Sequence, residues 1–392
     1  MSTTGCSLMM IAGEASGDHY SAGLIRRLKE KQPQASIWGM GGDAMKAEGM
    51  DVIQNIKGLD VMGFWDVFKN IRTFRRVFAE LRAEMEARQP DAVILVDYPG
   101  FNIRFARAAH SAGIPVVYFI SPKVWAWNSG RIAKLAETVT EMLVFFDFEK
   151  DVYKGSGLDV VCVGHPLAEE LEQYRGKKEK FRAELGIPQT GAVVGILPGS
   201  REREIRRMFP SMLEAAALLQ DTIGSAEYIA ACAPTLETGF LESFVSGKHP
   251  DITVLKGRSR EIVAASDVLM ITSGTATLEA GIIGVPHLIC YRVGLLTYIL
   301  IKPLLRTEHV GLVNIAAGEK VAEELLQGDM TPARIAETAA KLMNDQEARK
   351  TMEEGMARMR QKLLKTDAYG KAAEEILAVA HGRPCRPDSA IY

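Results

Sequence analysis

Ile196-Leu197-Pro198-Gly199-Ser200-Arg201-Glu202-Arg203-Glu204 joins two patterns of different period. Upstream, Gly191-Ala192-Val193-Val194-Gly195-Ile196-Leu197 reads as a short strand buried on both faces. Downstream, Ile205, Met208, Phe209, Met212 and Leu213 recur at helical spacing. The Pro-Gly-Ser-Arg turn between them presents backbone N–H groups, a hydroxyl and a guanidinium at a helix N-terminus. Open amides and the helix dipole favour an anion there, and Arg201 adds a forked, permanently charged donor suited to phosphate oxygens. An ordinary strand–turn–helix corner with a surface arginine has the same local pattern, so the rest of the chain has to decide between them.

Outward from this corner, strand-sized apolar runs alternate with amphipathic helical ones. Before it stand Leu8–Ala12, Ile37–Gly39, Ala92–Val96, Val116–Ile120, Met142–Phe146 and Val160–Val163, and a long helix is expected over about Phe64–Arg88. After it come Tyr228–Ala231, Ile252–Leu255, Val268–Ile271 and His287–Tyr291, then a tail, Thr331–Gly382, expected to be helical throughout. Alternation of this kind predicts α/β architecture, with parallel sheets covered by helices on both faces. At 392 residues the chain exceeds one growing core, so two doubly wound units are expected. The charged run Tyr174–Lys180 marks the boundary between them. Two such units in series predict a cleft, with ligands at strand C-termini.

Composition narrows the function classes. Hydrophobic residues make up 47% and charged residues 24%, as in ordinary globular domains. A net charge of −2 argues against nucleic acid as a general partner. The five cysteines (Cys6, Cys162, Cys232, Cys290, Cys385) are scattered without a CxxC, which argues against a disulfide frame or zinc site and for a reducing, cytoplasmic setting. The longest apolar window, Gly281–Ile301, is interrupted by Pro286, His287 and Arg292 and does not read as membrane-spanning.

A second anion cradle follows Val268–Ile271. Ser273, Gly274 and Thr275 offer hydroxyls and amides to a pyrophosphate. Glu279, one helical turn after Thr275, suits a ribose diol, which needs paired acceptors. A Ser/Thr N-cap with a surface glutamate is the plainer alternative. Two cradles in one domain favour a nucleoside diphosphate. No GxxxxGK[ST] occurs and no GxGxxG follows the first strand, which disfavours ATP hydrolysis and ordinary dinucleotide binding.

Gly13-Glu14-Ala15-Ser16-Gly17-Asp18, Asp97-Tyr98-Pro99-Gly100-Phe101-Asn102, Ser121-Pro122-Lys123-Val124-Trp125-Ala126-Trp127, Gly164-His165-Pro166, Pro198–Arg201 and Ser273–Glu279 occur in the order seen in lipid-A-disaccharide synthases. The chain resembles that family from about Leu8 to Gln327. The resemblance implies a GT-B enzyme, two Rossmann-like doubly wound domains facing a cleft with a helical C-terminal tail. It would be an inverting, metal-independent hexosyltransferase, with no cofactor. The reaction it implies moves 2,3-diacylglucosamine from its UDP derivative to 2,3-diacylglucosamine 1-phosphate, giving the β-1,6 disaccharide of lipid A and UDP. Residues 1–173 would bind acceptor and lipid, 174–365 the UDP-sugar. Residues 366–392 form a last helix and tail with the option of packing back on the N-terminal domain. The expected partners are the two substrates and the cytoplasmic face of the inner membrane, held peripherally; a homodimer is compatible with the pattern.

In such a displacement a base takes the acceptor proton while charge builds on the diphosphate. Asp97, at the end of a buried strand, suits the base; capping the next helix is its alternative role. Glu14, Ser16 and Asp18 line the first strand end and are expected to hold polar groups of sugar or acceptor, the two carboxylates counting with Asp97 in the catalytic set; a turn and N-cap fits them equally. His19 reads as a solvated helix residue, and His165 as either a packing residue or a site donor. Ser200, Arg201, Ser273, Gly274, Thr275 and Glu279 form the expected donor side, joined through the resemblance by Asn102 and Asn314. Two positions depart from the family pattern: Gly100, where many members carry an acidic residue, and Val313, where the usual residue is proline.

Val61–Arg76 mixes Phe64, Trp65 and Phe68 with Arg72, Arg75 and Arg76. A basic amphipathic helix of this kind can lie in an anionic bilayer surface, whereas periodicity alone favours a core-facing helix with a solvated basic face. Leu295–Leu305 is a weaker second candidate for lipid contact. Two rival functions share the architecture: a non-hydrolysing UDP-sugar epimerase, which needs no lipid surface, and a nucleotide-sugar sensor, which needs no base.

Overall fold

The structure is a computed structural model that describes residues 5–57, 71–122, 130–294, 308–364 and 367–382. By internal contacts the chain divides into two compact units, Met1–Pro166 with Lys365–Tyr392, and Leu167–Leu364.

The first unit is built on β1 (Ser7–Ala12), β2 (Ser36–Gly41), β3 (Asp51–Asn55), β4 (Ala92–Val96), β5 (Val116–Phe119), β6 (Glu141–Val144) and β7 (Asp159–Cys162). Among the described residues they form one parallel sheet in the order β3-β2-β1-β4-β5-β6-β7. Every residue of Ala-Val-Ile-Leu-Val in β4 is buried, as a strand covered on both faces requires. The strand period of two divides these side chains between two cores. Leu8, Met10, Ala12, Ile94, Val96 and Phe119 join one, and Met9, Ile11, Val93, Leu95 and Tyr118 the other.

The helix Ala15–Lys31 covers the first face, and the C-terminal helix Ala368–Ala380 packs on it. Tyr369 lies so close to Gly23 that a Cβ there would come within 2.4 Å of its ring, and Lys371 Nζ donates to the Cys162 carbonyl at 2.7 Å. On the other face Val77, Leu81 and Met85 turn the helix Ile71–Arg88 inward, while Arg72, Arg75 and Arg76 are exposed.

The second unit carries β8 (Ala192–Leu197), β9 (Ala226–Cys232), β10 (Ile252–Lys256), β11 (Val268–Thr272), β12 (His287–Tyr291) and β13 (Glu324–Leu326). They too form a parallel sheet, in the order β10-β9-β8-β11-β12-β13. The charged run Tyr174–Lys180 lies inside this unit, seven residues past its start at Leu167, because it has local partners. Tyr174 stacks on Phe181 with ring centroids 5.0 Å apart. The buried Arg182 donates to the carbonyls of Ala265, Gln189 and Gly191 and pairs with Asp267 at 2.8 Å. The tail is helical over Pro332–Asn344, Gln346–Leu363 and Ala368–Ala380; the Asp345 carboxylate caps the second of these helices and the Asp367 carboxylate the third.

Strand order reverses between β1 and β4 in the first sheet, and between β8 and β11 in the second. The connections leaving such a pair diverge to opposite faces and open a crevice at the strand C-termini, the place where ligands enter α/β sheets. Leu8–Ala12 pairs in register with Ala92–Val96, which sets Gly13–Ser16 beside Asp97 and Tyr98. Val194–Leu197 pairs with Val268–Ile271, which sets Pro198–Arg201 beside Ser273–Thr275.

Candidate active site

In the first unit the two chain ends at the switch point are locked together. A Cβ on Gly13 would fall 2.1 Å from the Tyr98 ring, so only glycine allows this approach. Glu14 is the N-cap of the helix Ala15–Lys31, and both it and Ser16 are exposed. Asp18 points elsewhere. It is 8% exposed and its carboxylate accepts from the backbone N–H of Gly42 at 2.8 Å and of Ala44 and Met45 at 3.1 Å. These amides open the helix Asp43–Ala47 after β2. Asp18 is therefore a cap that fastens the β2 loop to the first helix.

Asp97 and Tyr98 both adopt left-handed backbone, with φ of 43° and 45°. For residues other than glycine this conformation costs on the order of 1 kcal/mol or more each, so the surroundings have to impose it. The Asp97 N–H donates to Phe119 O at 3.1 Å, while its carbonyl accepts from Tyr118 Oη at 2.5 Å and Asn102 Nδ2 at 2.9 Å. The Asp97 side chain is half-buried. Burial, with the Asp97 carboxylate near by, holds the Tyr118 phenol well above its ordinary pKa, so it stays a donor.

Asn102 is fully buried and also donates to Val96 O at 3.1 Å, while its Oδ1 has no partner. Through these bonds it supports the strand end. Gly100 is exposed with open space where a Cβ would stand, so this position adds no second carboxylate beside Asp97. His165 packs among Phe145, Phe146 and Tyr20 with ring centroids 4.7, 5.2 and 6.0 Å away, whereas His19 is exposed.

In the second unit, Gly199 takes φ +118°, a conformation L side chains rarely adopt, and turns the chain from β8 into the helix Glu202–Ile223. Arg201 is the N-cap, in extended conformation, and no side chain caps the helix. Its guanidinium is 81% exposed and leans on Glu204 at 3.1 Å. After β11, Gly274 is the N-cap of the helix Thr275–Ile283, again without a side-chain cap, and Gly274 and Thr275 are exposed. Ser273 spends its hydroxyl on the Val310 carbonyl at 3.0 Å, leaving Thr275 as the exposed hydroxyl. The buried Thr272 Oγ1 has no partner. Ser200 is exposed beside Arg201. Two helix N-termini without side-chain caps thus open on adjacent strands, an arrangement that favours an anion.

Glu279 accepts from Arg260 Nε at 3.1 Å, and Arg260 also reaches Glu170 at 3.5 Å. Asn314 is fully buried, donating to Ala322 O and Glu324 Oε1 and accepting from the N–H of Val321 and Ala322, all at 2.8 Å. All four of these bonds are internal, so it holds the 310–324 connection. Val313 beside it is buried against Gly281.

Phe64, Trp65 and Phe68, the segment Lys123–Trp127 and Leu295–Leu305 lie outside the described residues. Among the described residues no helix is long and apolar enough to cross a membrane. Sequence reasoning missed Tyr118, which reads as one more apolar strand residue. The only signal was a phenol inside a fully buried run, which has to find an acceptor.

Comparison with known proteins fits this geometry. The family model for lipid-A-disaccharide synthetase matches residues 8–379. The lipid-A-disaccharide synthase of Syntrophus aciditrophicus (strain SB) is 36% identical over 379 residues, covering 96% of this chain and 99% of its own. Among solved structures, the UDP-GlcNAc 2-epimerase of Neisseria meningitidis bound to UDP-GlcNAc aligns with a TM-score of 0.64 at 13% identity, covering 95% of this chain and 99% of that one. The calicheamicin glycosyltransferase CalG4 aligns at 0.60 and 16%, covering 97% and 99%. These two likenesses concern the fold, the two-domain α/β architecture of GT-B glycosyltransferases. With a relative more than a third identical along almost its whole length and a family model spanning nearly every element described above, the chain belongs to the lipid-A-disaccharide synthetase family.

Proposed function

We propose that the chain transfers 2,3-diacylglucosamine from UDP-2,3-diacylglucosamine to 2,3-diacylglucosamine 1-phosphate, with inversion at the anomeric carbon. The observation that carries the reading is family membership over residues 8–379. It is supported by chemistry-bearing corners at the switch points of both sheets.

In this reading Asp97 accepts the proton of the acceptor hydroxyl as its oxygen bonds to the anomeric carbon. The bond from that carbon to the diphosphate breaks, and UDP leaves with the electron pair. Positive charge for the leaving group comes from Arg201 and the helix N-termini at Glu202 and Thr275, which makes the transfer metal-independent. Glu279 takes the ribose diol by exchanging its Arg260 contact for two hydroxyl donors, while Ser200, Gly274 and Thr275 line the diphosphate. Glu14 and Ser16, exposed beside Asp97, hold polar groups of the acceptor.

Acyl-chain substrates support peripheral attachment to the cytoplasmic face of the inner membrane, with Arg72, Arg75 and Arg76 towards anionic headgroups and Phe64, Trp65 and Phe68 towards the acyl region. The epimerase alternative is not favoured, because the solved epimerase resembles this chain in fold alone.

A coupled UDP-release assay with both lipid substrates, in detergent and EDTA, tests the reaction. Release that requires the acceptor and persists in EDTA is expected, and Asp97→Asn should abolish it while UDP still binds. Conversion of a non-acylated UDP-sugar instead, or full turnover by Asp97→Asn, would refute respectively the reaction and the base.

A further inference from the structure

The carbonyl of Asp97 carries more support than the end of a strand needs. It accepts from two side chains on different elements, Tyr118 Oη on β5 at 2.5 Å and Asn102 Nδ2 on the helix Pro99–Ser111 at 2.9 Å. Both donors are buried at 0% exposure, while Asp97 itself is half-buried. The Asp97 N–H is held as well, by Phe119 O of the neighbouring strand. Asp97 and Tyr98 sit side by side in left-handed backbone, a conformation that aspartate and tyrosine leave readily unless held. With both its N–H and its carbonyl held, the backbone of Asp97 is fixed, and with it the point from which the carboxylate extends. Tyr118 is well suited to hold that carbonyl. Its ring is anchored in the sheet core with Phe105, Leu95 and Met142, and its phenol has lost the option of ionising.

We propose that Tyr118 is a positioning residue for glycosyl transfer, its buried hydroxyl clamping the Asp97 carbonyl together with Asn102 so that the carboxylate stands ready to take the acceptor proton. The inference rests on Asp97 being the base. The clamp acts on the chemical step and leaves substrate binding alone, since no atom of Tyr118 is exposed to substrate.

Tyr118→Phe removes one oxygen and leaves the ring that fills the core. Because displacement of a reacting group by about 1 Å can cost about 100-fold, kcat is expected to fall by about 10- to 100-fold. KM for both substrates and the UDP dissociation constant should stay within about twofold of wild type, since binding groups are untouched.

Tyr153→Phe is the control. Tyr153 is buried in the same core, and its hydroxyl bonds that of Ser121 at 2.8 Å in place of the Asp97 carbonyl. It should lose comparable thermal stability and keep its kcat. An unchanged kcat in Tyr118→Phe beside an inactive Asp97→Asn would overturn the clamp and leave the base standing. Equal losses of kcat in both tyrosine variants would also overturn it, because any buried hydroxyl would then serve. Full activity of Asp97→Asn would remove the base and the clamp with it.

Discussion

Replacing Asp18 separates a cap from a catalyst. In Asp18→Ala, the N–H groups of Gly42, Ala44 and Met45 lose their acceptor. The Ala44 contact is part-buried, so that amide can turn to water, whereas the Gly42 and Met45 contacts are buried. Each buried donor left unpaired costs about 1–3 kcal/mol, so the variant should lose about 4 kcal/mol. In a unit of this size that corresponds to a fall in Tm of about 8–16 °C. Asp18→Asn keeps the shape and one acceptor oxygen. With Oδ1 retained towards Gly42 and Met45, only the Ala44 bond is exchanged for a facing N–H, a loss of about 1–2 kcal/mol. The assay is denaturant unfolding of both variants, with UDP release by the folded Asn variant at a temperature well below its transition. The cap reading predicts the order wild type, Asn, Ala in stability, and kcat for Asp18→Asn within about threefold of wild type. A normal transition midpoint with kcat reduced 100-fold or more would refute it and return Asp18 to the chemistry.

Three further outcomes are expected. Arg201→Ala should weaken UDP binding by about tenfold in calorimetry, since one exposed charge-assisted contact to the diphosphate is lost; equal affinity would remove Arg201 from the cradle. Burial pushes His287, which donates from Nδ1 to Val285 O and has no partner at Nε2, down to about 4. The unfolded chain therefore binds more protons between pH 6.5 and about 4, and stability falls as pH drops through that window. The loss amounts to about 3 kcal/mol, and urea melts of His287→Gln should show that much less acid sensitivity; parallel curves would contradict it. Replacing Phe64, Trp65 and Phe68 by Ser should abolish co-sedimentation with anionic vesicles, and undiminished binding would place that face in the core.

Much of the fold is legible because a doubly covered strand announces itself. Ala92–Val96, Ala192–Leu197 and His287–Tyr291 are continuous apolar runs and stand where the pattern puts them. The two strands the pattern passes over, Asp51–Asn55 and Glu324–Leu326, are both sheet edges. Asp-Val-Ile-Gln-Asn and Glu-Leu-Leu carry only two consecutive apolar residues each, too few for a strand signature, whereas the other two edges, Asp159–Cys162 and Ile252–Lys256, keep enough to be read. The site divides along a similar line. Exposed corners such as Glu14, Arg201 and Thr275 belong to turns whose geometry is local, and local sequence specifies them. Asp18, Asn102 and Asn314 carry the same chemistry on paper, yet Asp18 and the Asn102 amide N–H bond to backbone, and Asn314 to backbone and the Glu324 carboxylate.

The sequence by itself determined two parallel α/β units and put every polar cluster at a strand end, because apolar period and turn chemistry are properties of neighbours along the chain. Only the tertiary structure decided that β4 lies beside β1 and β11 beside β8, across 79 and 70 intervening residues respectively. That order creates the switch points and so gathers the clusters. It also decided which polar groups face inward: the partners of Asp18 and Tyr118 come from segments that touch only once the sheet is assembled. Hydrogen-bond partnership across such distances is set by packing, and no local pattern encodes it.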